Sequence, residues 1–222
     1  MNTTMKTQRL TVSAVMLAFA TVLAIVCELI PFLNLPFGGG FTIASMLPVV
    51  VVSYMYGLKW GFFTSFTYSC IQVIMSLVMG KTVLALFTPS SDDYMGLGAA
   101  FAIIIIDYFL AYTVLGIGGI FRNRIKNKVA ALVVGVILAL SLRYLLHIVS
   151  GYIFYGAWAE WFFSQEGFYA IGASILGTFS GKALALIYSV FYNGLYMIPE
   201  IVITAIAASL VGNIKYIKKI DL

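Results

Sequence analysis

Two ionisable residues, Arg143 and His147, lie four positions apart inside a long apolar stretch, and His147 is the only histidine in the chain. Residues four apart share one face of an α-helix, one turn above each other. Ionisable groups at membrane depth are costly, so they usually face a bundle interior, a cavity or a partner. This helix face is therefore the first candidate for a ligand or ion site, with Arg143, the deeper residue, interpreted as structural. For His147 a hydrogen-bonded structural role is an equal alternative.

Asp107 is the acid in the most apolar surroundings, because it follows an aliphatic run at 102–106. One interpretation is a structural ion pair with Arg143. The other is a ligand or ion site, which is the default for an acid inside a membrane. Tyr188 and Asn193 are weaker candidates, since polar residues commonly join helices in lipid. Their weight depends on whether the fold brings them to the depth of Asp107 and His147.

The composition requires a membrane protein: 62% of the residues are hydrophobic, 9% are charged, and the mean hydropathy is +1.04. Several apolar runs reach the roughly 20 residues that cross a bilayer. We predict an all-α integral membrane protein with a single domain over 1–222 and six spans. The first apolar run is too long for a signal-peptide core, so we expect a retained span. The predicted spans are approximately 10–30, 42–56, 60–78, 97–121, 130–155 and 183–211.

The lysines and arginines predict the orientation. Six spans place ten of them on one side and two, Lys81 and Lys182, on the other, with Arg143 left inside a span. The positive-inside rule then places both termini in the cytoplasm. With this topology Asp107, His147, Tyr188 and Asn193 all fall in the outer half of their spans. We therefore expect them to converge on one outward-facing pocket.

Aromatic residues flank that predicted pocket. Phe37, Tyr155, Trp158 and Trp161 all fall near the predicted outer interface. An aromatic belt that anchors the helices there is the preferred interpretation from composition. The alternative is that these rings stack on a flat, cationic ligand.

Catalytic chemistry is not indicated by any motif. No nucleophile, base and orienting group occur at a recognisable spacing, and no cluster resembles a metal site. Cys27 and Cys70 lie within apolar spans and are interpreted as small buried residues. The net charge of +5 fits cytoplasmic loops rather than nucleic-acid binding. We therefore expect no enzyme activity, no cofactor, no bound metal and no nucleic-acid partner. If the protein transports a substrate uphill, the energy must come from an ion gradient or from a partner protein.

Small residues recur on the first span, at Ala14 and Ala18. Small residues four apart let helices approach closely in lipid. From the spacing alone, docking of a partner helix and packing inside this chain are equally supported.

Taken in order along the chain, these residues resemble the thiamine-specific substrate-binding (S) components of energy-coupling factor (ECF) transporters, the YuaJ-type thiamine transporters. The resemblance rests on Ala14 and Ala18, on a glycine motif before Pro48, and on Asp107-Tyr108 before a second glycine motif. It continues with the Arg143 to His147 helix and ends with Tyr188 and Asn193.

The resemblance implies a six-helix bundle with an outward-facing thiamine pocket. Its site residues would be Asp107, Tyr108, His147, Tyr188 and Asn193, with aromatic stacking from Phe37, Tyr155 and Trp158. Phe37 and Tyr155 stand where tryptophan is usual in the family, and the segment after Tyr155 is longer than usual. Ala14 and Ala18 match the family's docking surface for the membrane coupling subunit.

The function implied is high-affinity thiamine capture from outside a bacterial cell membrane. Import would then need a transmembrane coupling subunit and two ATP-binding subunits. The alternatives are an S component for another vitamin or precursor and a solitary proton- or sodium-coupled carrier in which Asp107 and His147 form a relay. A structural subunit without a ligand is the third alternative.

Overall fold

A computed structural model describes residues 3–35, 40–215 and 217, and in this part of the chain every regular element is helical. The all-α prediction is confirmed. The helices are α1 (Thr3–Glu28), α2 (Leu47–Tyr56), α3 (Leu58–Val78), α4 (Thr82–Phe87), α5 (Gly96–Gly119), α6 (Lys128–Phe154), α7 (Ala159–Phe163), α8 (Tyr169–Thr178) and α9 (Gly181–Val211).

Five of the described helices, α1, α3, α5, α6 and α9, are long and apolar enough to cross a membrane. They match five of the six predicted spans. The sixth, predicted over 42–56, differs. Its helix α2 has only 10 residues, or about 15 Å at 1.5 Å per residue, which is half of a bilayer core. The six predicted spans thus correspond to five long helices and one short buried helix in the described part of the chain, so the predicted count of six spans is not confirmed.

Pro48 explains why α2 is short. The sequence predicts a span over 42–56, but the helix begins only at Leu47, and Pro48 lies in its first turn. Proline is favoured there because the first helical N–H groups have no intrahelical partner. Residues 41–46 therefore approach α2 as an irregular segment. Nine of the ten residues of α2 are buried, so the helix forms the centre of the bundle.

Glycines bring α5 and α6 into backbone contact. A Cβ added to Gly135 on α6 would lie 1.9 Å from the carbonyl oxygen of Gly118 on α5. The other end of α6 packs along α9, where a Cβ on Gly151 would lie 2.3 Å from Ser189 Oγ. Close approach of this kind is how membrane helices gain packing energy without a hydrophobic driving force.

Gly135→Ala should therefore destabilise the bundle by about 2 kcal/mol, because the new methyl group collides with backbone that cannot rotate away. Thermal unfolding of the purified variant in detergent measures the effect. Gly177→Ala is the matched control, since its Cβ meets nothing within 4 Å and alanine favours helix. Equal midpoints for the two variants would contradict the packing described here.

Arg122, counted on the predicted inner side, is buried rather than solvated. It is 6% exposed, and its Nη1 donates hydrogen bonds to the carbonyl oxygens of Tyr54 (2.8 Å) and Met55 at the end of α2. A cation at a helix C-terminus satisfies the last carbonyls and interacts favourably with the helix dipole. Arg122 thereby fixes the C-terminal end of α2.

Helix α1 lies at the edge of the bundle. Its Ser13 and Ala20 are buried, whereas Ala14 and Ala18 are exposed. The alternative that Ala14 and Ala18 pack inside this chain is therefore wrong. An open face with two small residues remains available on α1.

Candidate functional site

A cavity of about 440 Å³ lies between α1, α3, α5, α6 and α9. Sites for small ligands have volumes of roughly 300–1,000 Å³. Six of the eight predicted ligand-site residues line this cavity: Asp107, Tyr108, His147, Tyr155, Tyr188 and Asn193. The expected convergence of Asp107, His147, Tyr188 and Asn193, which lie on three different helices, is thus present in the fold.

A change of helix type places Asp107 and Tyr108. Helix α5 begins as an α-helix, becomes a π-helix over Ile104–Leu110 and ends as a 3-10 helix over Val114–Gly119. π-helical turns are rare and frequent at functional sites, because the wider turn redirects side chains. Here the π-turn directs two adjacent residues into the cavity, where the Tyr108 hydroxyl donates a hydrogen bond to Ser76 Oγ at 3.1 Å.

Arg143, His147 and Asp107 form a hydrogen-bonded chain. Arg143 Nε donates to His147 Nε2 at 3.1 Å, and His147 Nδ1 lies 2.8 Å from Asp107 Oδ1. Arginine can only donate, so Nε2 accepts and the imidazole proton lies on Nδ1, from which it is donated to Asp107. The Ser150 hydroxyl donates to the other carboxylate oxygen at 2.5 Å. The neutral imidazole therefore links a cation to an anion.

This chain of bonds corrects the interpretation of Asp107 and Arg143 as a direct ion pair, because His147 lies between them. Arg143 is 7% exposed and lines the cavity. Its guanidinium carbon lies 4.1 Å from the centre of the Tyr112 ring, and its Nη1 donates to Met46 Sδ. Assigning Arg143 a structural role alone was thus incomplete, since it also forms part of the cavity wall.

Asn193 is held by both packed helices. Its Nδ2 donates to the backbone oxygens of Ser189 at 2.8 Å and His147 at 3.2 Å, and its Oδ1 accepts from the Tyr196 hydroxyl at 2.5 Å. These bonds fix the amide orientation. The close contact at Gly151 allows α9 to approach α6 near enough for them to form.

Tyr188 begins an aromatic wall. Tyr188, Tyr192 and Tyr196 recur every four residues on α9, and all three line the cavity. Phe162 on α7 packs behind them, with its ring centre 5.3 Å from that of Tyr188. Tyr188 is 1% exposed, and its hydroxyl has no hydrogen-bond partner within the described part of the chain. A buried donor without a partner is costly, so this hydroxyl is available for a ligand.

The remaining aromatic residues predicted for the site differ in whether they line the cavity. Tyr155 follows the last residue of α6 and lines the cavity. Trp158 lies outside the cavity lining, with its ring centre 6.2 Å from that of Trp161. Phe37 falls outside the described residues. Only Tyr155 of these three is therefore seen in the cavity wall.

Charged residues surround the mouth of the cavity. Lys81 Nζ lies 3.6 Å from Glu28 Oε1, and these side chains are 45% and 29% exposed. Asp93 also lines the cavity. The pKa of its carboxyl is raised above the ordinary value, mainly because the group is partly buried and to a smaller extent because of the negative charge of the neighbouring Asp92. Exposed ion pairs contribute little stability, so the Lys81–Glu28 pair does not lock the mouth.

A sequence profile of the thiamine transporter protein family (Thia_YuaJ) matches residues 10–169, which is most of the chain. The chain belongs to this family. The resemblance read from the sequence is thereby confirmed. The matched residues include Asp107, Tyr108, His147 and Tyr155, whereas α9 lies beyond them.

Other members of the thiamine transporter family extend the match to α9. The chain is 27% identical over 219 residues to "Thiamine transporter ThiT" of Bacillus subtilis, covering 95% of this chain and 93% of that protein. It also matches the fold of the solved structure of ThiT from Listeria monocytogenes, with a TM-score of 0.55 and 20% identity over 91% of this chain and 96% of the other. Together with the apolar helices, family membership identifies a multi-pass bacterial membrane protein.

Two residues of this family member, Glu200 and Thr42, were not anticipated from the sequence. Glu200 is a buried acid on α9 that binds Thr42, and Thr42 lines the cavity. The signal was present, because an acid inside an apolar span marks a functional site by default.

Proposed function

We propose that this chain is the thiamine-binding S component of an ECF-type uptake system. The observation that supports it is one 440 Å³ cavity, lined by Asp107, His147, Tyr188 and Asn193, in a member of the thiamine transporter family. The ligand would enter from outside. We propose Asp107, Tyr108, His147, Tyr155, Tyr188 and Asn193 as the binding residues, and Phe37 as a further stacking residue.

The chemistry of the cavity is complementary to thiamine. Thiamine carries a permanently cationic thiazolium ring and an aminopyrimidine ring with a hydrogen-bonding edge. The Asp107 carboxylate can accept a hydrogen bond from the amino group and balance the positive charge. Tyr188 and Asn193 can form hydrogen bonds with the polar edge of the aminopyrimidine ring. Aromatic faces accommodate a cationic ring. The cavity wall thus combines aromatic faces with charged and hydrogen-bonding groups, as a flat, cationic and polar ligand requires.

Energy for import would come from partner subunits. We propose a transmembrane coupling subunit, docked on Ala14 and Ala18, and two ATP-binding subunits, with no enzyme activity in this chain itself. The whole of 1–222 would act as one membrane domain with both termini in the cytoplasm. The two exposed alanines on α1 support the docking surface.

Thiamine uptake into lipid vesicles tests this function. One set of vesicles contains the chain alone, and the other contains the chain with its three partner subunits. We expect thiamine uptake only with all four subunits and ATP, insensitive to an uncoupler. Uptake by the chain alone that collapses with an uncoupler would instead establish a solitary ion-coupled carrier and overturn the proposal.

Tyr188→Phe should weaken thiamine binding about tenfold, because the Tyr188 hydroxyl, which has no hydrogen-bond partner within the described part of the chain, would bond the ligand. The same variant should lose no thermal stability without ligand, since it breaks no bond there. Tyr144→Phe is the matched control: its hydroxyl donates to the Val190 oxygen at 2.7 Å, outside the cavity lining. That change should lower stability and leave binding intact. Unchanged affinity in Tyr188→Phe would remove its hydroxyl from the site.

A further inference from the structure

The irregular segment at residues 41–46 joins the loop after α1 to α2 and forms one wall of the cavity. Phe41, Thr42, Ser45 and Met46 all line the cavity. The groups that hold this 41–46 segment in place therefore also define the shape of the cavity.

Glu200 provides the most buried of these attachments. It lies in the middle of α9, is 1% exposed and accepts a hydrogen bond from the Thr42 backbone N–H. The Thr42 hydroxyl lies 2.9 Å from both carboxylate oxygens. A third donor, the Thr204 hydroxyl at 3.2 Å, belongs to α9 itself. Because a buried carboxylate requires hydrogen bonds, Glu200 and the 41–46 segment hold each other.

Two other helices hold the same segment. The backbone N–H of Ile43 donates to Cys27 Sγ on α1 at 3.2 Å, and Arg143 on α6 donates to Met46 Sδ. The segment is thus attached to α1, α6 and α9, and Cys27, Arg143 and Thr42 all line the cavity.

Ala44 indicates that this conformation is imposed by the attachments. Its φ is +57°, and it is the only described non-glycine residue with a positive φ. A side chain in the left-handed region is disfavoured and persists only where the surroundings hold it there. Loss of an attachment would therefore release the 41–46 segment to a more relaxed conformation.

We propose that Glu200 is a positioning residue: through Thr42 it holds the 41–46 segment against α9, closes that side of the ligand cavity and slows ligand release. The inference on release rests on the proposed function. The positioning itself does not require a ligand.

A matched pair of variants tests the proposal. Thr42→Val and Thr204→Val each remove one hydroxyl that donates to Glu200, but only Thr42 belongs to the 41–46 segment. Cys27 reports on the segment, because it is 3% exposed and contacts Ile43. The measurement is the rate of alkylation of Cys27 by N-ethylmaleimide in ligand-free protein, with Cys70, the other cysteine, replaced by alanine.

We expect Thr42→Val to raise both the Cys27 alkylation rate and the thiamine dissociation rate about tenfold. A tenfold change is what the loss of one hydrogen bond to a charged group typically produces. Thr204→Val should leave both rates within about twofold. Glu200→Gln should change both rates at least as much as Thr42→Val. If Glu200→Gln does not fold, the comparison of Thr42→Val with Thr204→Val still tests whether Glu200 positions the 41–46 segment.

Equal rates in the two threonine variants would overturn the positioning role and leave Glu200 as a structural acid. Failure of the parent protein to bind thiamine would overturn the proposed function instead. In that case the alkylation rates, which need no ligand, still accept or reject the role of Glu200.

Discussion

Replacing Asp107 with asparagine is expected to weaken thiamine binding about a hundredfold. The substitution removes the negative charge that would balance the thiazolium ring, and it removes one of two strong acceptors for His147 Nδ1 and Ser150 Oγ. Loss of one partner from a buried, hydrogen-bonded charge pair costs roughly 2–5 kcal/mol in binding, which includes a hundredfold change. Equilibrium binding to the purified variant measures it.

Asp92→Asn is the control for this prediction. It makes the same change of charge on an exposed residue outside the cavity lining, so its affinity should stay within about twofold of the parent, as for other exposed charges. An Asp107→Asn variant that is folded and binds thiamine as tightly as Asp92→Asn would place the ligand elsewhere.

Tryptophan at Ala14 and Ala18 is expected to abolish uptake in the four-subunit system while thiamine binding to the chain alone is unchanged. Both alanines are exposed on α1, away from the cavity lining. Two large side chains there would separate a docked helix from α1, and helix association in lipid depends on close approach at small residues. Vesicle uptake and binding to the isolated chain measure the two properties separately.

Phe19→Trp provides the comparison on the same helix. Phe19 is also exposed but lies about 100° round the helix from Ala18, so uptake should be retained. Normal uptake by the Ala14→Trp, Ala18→Trp double variant would show that the coupling subunit docks on another surface.

The convergence of Asp107, His147, Tyr188 and Asn193 was predictable from the sequence for two physical reasons. Helical periodicity fixes which residues share a face, and the uneven distribution of lysine and arginine fixes which end of each span lies outside. Depth along each helix then follows from residue counting. The structure places all four in one cavity.

Local irregularities were not predictable in the same way. The short α2 arises from Pro48 at its start, and the π-turn at Asp107 has no distinctive sequence signal. Arg143 contacts His147 one turn along α6, and the packing of α5 against α6 brings Asp107 to His147 instead of to Arg143. Glu200 binds Thr42 across 158 positions of the sequence, so no local pattern could indicate that contact.

The most direct test of the central claim is a calorimetric titration of the chain alone, purified in detergent, with thiamine. We predict one thiamine per chain with nanomolar to low-micromolar affinity, without any partner subunit or ATP. A folded chain that binds no thiamine at millimolar concentration would contradict it.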